Sequence, residues 1–417
     1  MNIAQRWKLG SLPIRRAAEY AWNNATGRGH VPVRPYYASI DVTYRCNLRC
    51  VHCSLWDRPD GEAELTLEEM QDIVLKMKRW LNLPAMDLLG GEAFLRPETM
   101  KLIRFVCEQG MFLHIVTNGT LLTERIAREL IELNVYKIAI SLDGFQPETH
   151  DRTRGVKGAF RKTLQGIERL KRWKEKLGGT TRISIHTILN ASTLDEIPSV
   201  LEWTTAMGLD GFHLVPLDQN VGGIDHAPVA YKFEDDWFTR NPLWIRDIGK
   251  LEAVIAHVID KKRQGYPVAD PITYLEDTIP YFRDAGGIQY RRPCRAGSEL
   301  VKVTPKGDVT FCPYEPPVGD LRTSTFEELW TSDAAEAARK KIHACTKKCF
   351  IPFCAWDEKE RMGRFVEQFV AKPRVRPGDL VVPELPVPLP APDEALLQIT
   401  RRNRVAEADL QVRLKSE

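Results

Sequence analysis

Residues 37–53 read YASIDVTYRCNLRCVHC: an apolar run from Tyr37 to Thr43, then three cysteines, Cys46, Cys50 and Cys53, within eight residues. The apolar run reads as a first strand, and the cysteines sit on the loop that leaves it. Three thiolates on a short loop can hold three irons of a [4Fe–4S] cube, which ordinarily takes four cysteine ligands, so a fourth iron would stay open to a substrate or cofactor. A structural zinc site wants a closed set of four ligands, usually two tight pairs. Three with no fourth nearby suit a reactive site better than a structural one.

Beyond this loop the first half alternates helix and strand. Thr66 to Trp80 carries apolar residues at helical spacing (Leu67, Met70, Ile73, Val74, Met77) with Thr66 placed as an N-cap. A strand at Met86–Leu89 ends in Gly90-Gly91-Glu92, and a helix starts near Pro97. Strands at 112–116, 137–142, 182–189 and 211–215 alternate with helices at 124–133, 159–176 and 194–207. Six such alternations imply parallel strands with crossover helices. The expected fold is therefore α/β, an open, partial (β/α)6 TIM-like barrel, with its site at the C-terminal ends of the strands.

Those ends carry chemistry. Gly90 and Gly91 let a backbone approach a ligand closely, and Glu92 offers an anionic acceptor for an ammonium group. Along the fourth strand Ile138, Ile140 and Leu142 should face the helices, which turns Ser141, and beyond it Asp143, inward. The same alternation turns Ser184 and His186 inward on the fifth. Gly-Gly and Asn-Gly are also ordinary turn signals, and a single inward histidine is commonly a hydrogen-bonded structural group.

The cysteine spacing, three residues and then two, resembles the signature of the radical S-adenosylmethionine (SAM) superfamily. The resemblance implies that the open iron chelates S-adenosylmethionine and that one electron from the cluster releases a 5′-deoxyadenosyl radical. His52 matches the position where the family usually places a ring packing near the adenine. GGEAFLRP (90–97) resembles the motif that binds the cofactor's amino group, with Ala93 where relatives often have proline. Thr117 and Asn118 fall where ribose or carboxylate contacts are expected, and HDRTRG (150–155) resembles a segment whose arginine lies near the cofactor. On this resemblance Gly90, Gly91, Glu92, Asn118, Ser141 and His52 bind the cofactor, and Cys46, Cys50 and Cys53 bind the cluster.

Five more cysteines gather toward the C-terminus: Cys294, Cys312, Cys345, Cys349 and Cys354. Residues 303–312 read as a hairpin turning at Lys306-Gly307, which brings Cys294 and Cys312 near each other. A helix is expected from Thr325 to about Ile342, just before the last three cysteines. The layout, including Gly307 between Cys294 and Cys312 and the GDL stretch at 319–321, resembles the SPASM/twitch extension of radical SAM enzymes. Full SPASM domains carry seven cysteines for two clusters; five imply one auxiliary [4Fe–4S] cluster in a smaller C-terminal α+β domain. Four of them would close it and three would leave an open iron, with the spare among Cys345, Cys349 and Cys354 undecided. A four-thiolate zinc site needs no different residues.

Composition and pattern set the remaining expectations. The chain has 417 residues, enough for more than one domain, and a net charge of +3, too small a field to argue for nucleic acid. No apolar run is long enough to span a bilayer and no secretory signal opens the chain. Oxygen-labile clusters suit a reducing cytoplasm. Cys107, in the stripe Leu102, Ile103, Val106, reads as a core thiol. The expected units are a basic amphipathic helix (1–35), the barrel (36–216), an aromatic-rich connection (217–292) that is core or pocket roof, the cluster domain (293–371), and a Pro-rich linker with a terminal helix (372–417). The first unit either docks under the barrel or meets an anionic membrane surface. The expected substrate is a small molecule, sugar or lipid precursor, since the roughly 35 residues before the first strand are few for a leader-peptide-binding domain; a peptide is the alternative, and a non-catalytic electron-transfer protein a further one. The implied partner is a one-electron donor such as flavodoxin or ferredoxin.

Overall fold

The computed structural model describes residues 12–27, 32–35, 37–57, 64–81, 85–219, 236–284, 294, 296–298 and 300–350, with single residues at 375, 380 and 386. A first helix, α1 (Leu12–Ala25), precedes six strands: β1 (Tyr37–Asp41), β2 (Ala85–Leu89), β3 (Phe112–Thr117), β4 (Lys137–Ser141), β5 (Arg182–Leu189) and β6 (Gly211–Pro216). Each is parallel to the next in chain order. Between them run α2 (Leu67–Trp80), α3 (Thr99–Glu108), α4 (Glu124–Glu132), α5 (Pro147–Arg154), α6 (Ala159–Leu177) and α7 (Ile197–Ala206). This is the α/β partial barrel that the alternation predicts.

Local chemistry explains where these elements start. The Thr66 side chain caps α2 in a reciprocal box with Glu69, satisfying two backbone donors that a helix end would leave open. Met70, Ile73, Val74, Met77 and Trp80 then bury one face of α2. The expected helix 194–207 is instead a 3₁₀ turn, Leu194–Glu196, followed by α7, with a proline in the first turn of α7, where its missing N–H costs nothing. The polar helix α5 has no counterpart in the sequence pattern, because PETHDRTR carries no apolar stripe for a periodicity argument to find.

The C-terminal part is not a separate layer. Strand β7 (Leu300–Val303) pairs parallel with β1, and β8 (Asp308–Thr310) and β9 (Gly319–Asp320) continue antiparallel. One nine-stranded sheet results, ordered β6-β5-β4-β3-β2-β1-β7-β8-β9. The turn between β7 and β8 is at Gly307, whose φ of 97° favours glycine.

In the connecting region, α8 (Trp237–Arg240), α9 (Ile248–Arg263) and α10 (Ile272–Arg283) follow β6. Helix α9 starts at Ile248, where the Asp247 carboxylate accepts from the Lys250 amide and caps it. Trp237, Trp244, Tyr274, Tyr281 and Phe282 are all buried, so the described part of this stretch is core, while residues 220–235 and 285–293 lie outside the described residues. The single helix expected at 325–342 is two, α11 (Phe326–Trp330) and α12 (Asp333–His343), since the Ser332 side chain accepts from the Ala335 amide and begins a new helix. Trp80 of α2 stacks on Phe326 at 4.9 Å and meets Trp330 edge-on at 5.3 Å, fastening this part to the barrel. Such pairs contribute roughly 0.5–1.5 kcal/mol each beyond their burial.

Helix α1 ties back through Arg16, which donates to the Arg34 carbonyl, and through the Glu19–Arg34 ion pair, yet Ile14, Tyr20 and Trp22 are each more than 60% exposed. Cys107 packs against the core half-buried, and burial pushes its thiol up to about 11. Residues 1–11, Cys354, the Pro-rich stretch but for its single described residues and the expected terminal helix lie outside the described residues. Among the described residues no helix is long and apolar enough to cross a membrane.

Candidate active site

The loop after β1 gathers Cys46, Cys50 and Cys53 with Leu48, Val156 and Ala159 in a small apolar cluster of its own. Burial pushes the Cys46 thiol up to about 11 and the Cys53 thiol up to about 12, with the neighbouring cysteine sulfurs adding to both. Burial also raises Cys50, against the pull of Arg154. Crowded, largely buried thiols of this kind become thiolates when a metal supplies the compensating charge. The Leu48 amide donates to Cys46 Sγ at 3.4 Å, and Cys53 N–H closes a turn onto the Cys50 carbonyl at 3.2 Å.

Helix α5 holds this loop from behind. The Arg49 and Val51 amides donate to the carbonyls of Arg154 and Thr153 at 3.1 and 3.0 Å, the last two residues of α5. The Arg154 side chain turns back into the site, with Nη1 3.7 Å from Cys50 Sγ and Nη2 2.8 Å from Asp143 Oδ2. Burial opposes both charges, but each holds the other: Asp143 stays below the usual carboxylate range and Arg154 above the usual guanidinium range. His52 is buried nearby, and burial lowers it to about 4.

Glu92 sits at the end of β2, 1% exposed. Its Oε1 accepts from the Phe94 amide and the Thr117 hydroxyl, and its Oε2 from the Asn118 amide at 2.8 Å. Burial raises the carboxyl while these three donors oppose the rise. Each carboxylate oxygen accepts about two hydrogen bonds, which leaves one lone pair of Oε2 for an incoming donor. Gly90 and Gly91 make their close approach to the chain itself. A Cβ on Gly90 would lie 2.4 Å from the Thr43 carbonyl oxygen, and one on Gly91 2.3 Å from that of Arg45. The Gly91 and Glu92 amides donate to those same carbonyls at 2.8 and 2.9 Å, so the glycines weld the Glu92 turn to the cysteine loop. Asn118 does likewise: its side chain donates to Asn47 and accepts from Thr120. Ser141 ends β4, opposite His186 in register.

Cys294, Cys312, Cys345 and Cys349 line one cavity together with Tyr314, Glu315 and Lys347. Burial raises Cys312 to about 12, opposed by the Tyr314 amide that donates to its sulfur; Cys349 is raised well above its ordinary value by burial and by Asp218. Lys347 N–H donates to Cys345 Sγ at 3.4 Å, the same residue-plus-two geometry seen at Cys46 and Cys312. Asp218, just past β6, accepts from the Tyr314 hydroxyl and from the Phe350 amide. The barrel mouth thereby grips the chain immediately after two of the four cysteines.

A family model described as the radical SAM superfamily matches residues 40–203, and one described as an iron–sulfur cluster-binding domain, SPASM, matches 294–354. The chain carries a radical SAM domain and a SPASM domain. Among curated relatives it is 29% identical to an AdoMet-dependent heme synthase of Methanosarcina barkeri over 313 residues, 73% of this chain and 84% of that protein. It is 26% identical to the antilisterial bacteriocin subtilosin biosynthesis protein AlbA of Bacillus subtilis over 341 residues, 79% of this chain and 68% of that one. The fold matches SuiB of Streptococcus suis, solved with precursor peptide SuiA and with S-adenosylmethionine, at a TM-score of 0.58 and 15% identity, covering 78% of this chain and 71% of that one.

A radical SAM protein of this architecture uses a [4Fe–4S] cluster, S-adenosylmethionine and auxiliary iron–sulfur ligation in its SPASM domain. The residues present fit those groups. Both cysteine sets bring part-buried thiols together with backbone amides aimed at sulfur, the donors that cluster loops supply.

The radical SAM barrel also holds histidines that strand alternation reaches only when applied to every strand. His114 (β3), His186 (β5) and His213 (β6) meet inside it, with ring centroids 6.1 Å apart for the first pair and 4.8 Å for the second. Strands β3 and β5 flank β4 and are two spacings, about 9.5 Å, apart, so side chains this close converge on the lumen. His114 Nδ1 pairs with Asp87 at 3.2 Å and His213 Nδ1 with the buried Asp270. Asp87 between Met86 and Leu88, His114 between Leu113 and Ile115, and His213 between Phe212 and Leu214 are single polar residues on apolar strands. That was the signal.

Proposed function

We propose that this protein reductively cleaves S-adenosylmethionine and abstracts hydrogen from a small molecule, using an auxiliary cluster for electron transfer or substrate anchoring. In this reading Cys46, Cys50 and Cys53 hold the catalytic cluster, and Glu92 receives the cofactor's ammonium on its remaining lone pair. The bound groups supply a 5′-deoxyadenosyl radical; the protein orients the substrate and keeps water out. Gly90 and Gly91 bring Glu92 against the cysteine loop, while Asn118 ties that loop to β3. Ser141 and His186 face the lumen where substrate and cofactor would meet, and His52 backs the cluster loop.

The observation that carries the reading is the meeting of the cysteine loop and the Glu92 turn through paired backbone bonds, at the mouth of a lumen lined by His114, His186 and His213. An electron carrier needs neither the turn nor a polar lumen. We assign Cys294, Cys312, Cys345 and Cys349 as the ligands that close one auxiliary [4Fe–4S] cluster, because they share one cavity. A closed cluster favours electron acceptance over substrate anchoring. The likeness to a heme synthase over 84% of its length supports a small molecule of tetrapyrrole type; the likeness to AlbA supports a peptide as the alternative. A flavodoxin- or ferredoxin-like donor in a reducing cytoplasm would provide the electron.

The test is 5′-deoxyadenosine formation by the anaerobically reconstituted protein under dithionite, alone and with candidate tetrapyrroles or peptides. Formation accelerated by a tetrapyrrole supports the first reading; acceleration by peptides alone would replace it with the second. No 5′-deoxyadenosine under any condition would overturn both.

A further inference from the structure

Among the described residues Arg154 is a deeply buried cation. It is 7% exposed, it is the last residue of α5, and its guanidinium bridges two groups of opposite character. Nη1 lies 3.7 Å from Cys50 Sγ and Nη2 2.8 Å from Asp143 Oδ2. Asp143 is fully buried at the end of β4 and is itself fixed, its Oδ1 accepting from the Ile188 amide and its backbone N–H donating to His150 Nδ1. The guanidinium therefore cannot swing away without abandoning a buried carboxylate.

We propose that Arg154 sets the reduction potential of the cluster on Cys46, Cys50 and Cys53, with Asp143 as the residue that positions it against the Cys50 sulfur. The proposal rests on the reading that this triad holds the cluster. Reduction adds one electron, delivered by an external one-electron donor, to a cluster that already carries thiolate charge. A fixed cation touching one of those sulfurs stabilises the reduced form more than the oxidised form, which moves the potential upward. Guanidinium is suited to the task because it stays charged when buried. Its field is strong where water is excluded, and charge and hydrogen bonds at the sulfurs are what set cluster potentials. Asp143 acts with the opposite sign through the same field, from behind the guanidinium. Geometry makes the cation dominant: its nitrogen touches sulfur, and the carboxylate lies on its far side.

The experiment is an EPR-monitored redox titration of the reconstituted full chain, following the signal that changes when S-adenosylmethionine is added and so belongs to the cluster with an open iron. Arg154→Gln is expected to shift that midpoint to more negative potential, so that less than half the cluster is reduced at the wild-type midpoint. Asp143→Asn keeps one side-chain oxygen to accept from the guanidinium while it removes the opposing charge, so it is expected to shift the midpoint positive. Arg154→Lys, which keeps the charge but cannot bridge both partners, should fall between wild type and Arg154→Gln. A merely structural arginine would not move the two midpoints in opposite directions. Unchanged midpoints in variants that carry full iron overturn the inference and leave the cluster assignment standing. Loss of cluster from all three variants also overturns it, since Arg154 would then act only as a brace. Absence of a SAM-sensitive signal in wild type overturns the cluster assignment itself.

Discussion

Gly155→Ala should detach helix α5 from the cysteine loop. Gly155 follows Arg154 as the helix cap with φ at 68°, and an added Cβ would lie 2.0 Å from the Arg49 carbonyl oxygen. A left-handed backbone costs an alanine about 1–2 kcal/mol. The clash is with backbone, so relieving it must stretch the Arg49→Arg154 and Val51→Thr153 hydrogen bonds, which contribute about 1 kcal/mol each. The expected loss is roughly 3–4 kcal/mol by the same accounting. Gly158→Ala is the control: its φ is 83°, but nothing lies within 4 Å of the added Cβ, so only the backbone cost of about 1–2 kcal/mol remains. Denaturant unfolding of the metal-free proteins, with iron counted after reconstitution, reads both effects. Gly155→Ala should lose the larger free energy and retain less iron than Gly158→Ala. Equal stabilities and equal iron would refute the claim that α5 clamps the cluster loop.

Other substitutions probe the remaining parts. Glu92→Gln turns one end of its amide into a donor facing the Asn118, Phe94 or Thr117 donors, which should cost about 1–3 kcal/mol; equilibrium dialysis should show weaker S-adenosylmethionine binding at unchanged iron, and unchanged affinity would remove Glu92 from the cofactor site. Tyr314→Phe leaves the buried Asp218 short of a donor and should cost about 1.5–3 kcal/mol. Iron in the SPASM part should then leave faster to a chelator, and wild-type release would show that this grip is idle. His150 tests pH dependence. Burial, with Arg154 beside it, lowers it from 6.5 to about 3. The unfolded chain takes up this proton below pH 6.5 while the folded chain refuses it, so the contribution is complete above 6.5 and is lost as pH falls toward 3. At pH 5 the loss is about 2 kcal/mol. His150→Asn keeps an acceptor for the Asp143 amide and should flatten the fall in unfolding midpoint between pH 7 and 5; an unchanged slope would contradict the assignment.

Much of the barrel was legible because its strands alternate polar and apolar residues, and its helices carry stripes and caps such as Thr66 with Glu69. The pairing of β7 with β1 was not, since those strands lie more than 250 residues apart and no local pattern encodes a parallel partner. Helix α5 escaped because its residues are polar on every face; what holds it is Asp143, Arg154 and the cysteine loop. At the site, the thiols and Glu92 announced themselves by spacing and motif. The role of Gly90 and Gly91 did not, because a glycine records only that something comes close, and here it is the chain's own backbone. The lumen histidines were readable by the rule that singled out His186, had it been carried to β3 and β6. Of their carboxylate partners Asp87 was readable in the same way on β2, while Asp270 was not, since it reaches His213 from outside the six strands.

The central claim is that the two cysteine sets hold two iron–sulfur clusters, one of them working on S-adenosylmethionine. Iron, sulfide and zinc counts on the anaerobically reconstituted chain, with 5′-deoxyadenosine assayed under dithionite, test it most directly. About eight irons per chain, with Cys50→Ala falling to about four and losing 5′-deoxyadenosine entirely, is the predicted result. Zinc in place of iron, or 5′-deoxyadenosine undiminished in Cys50→Ala, would contradict it.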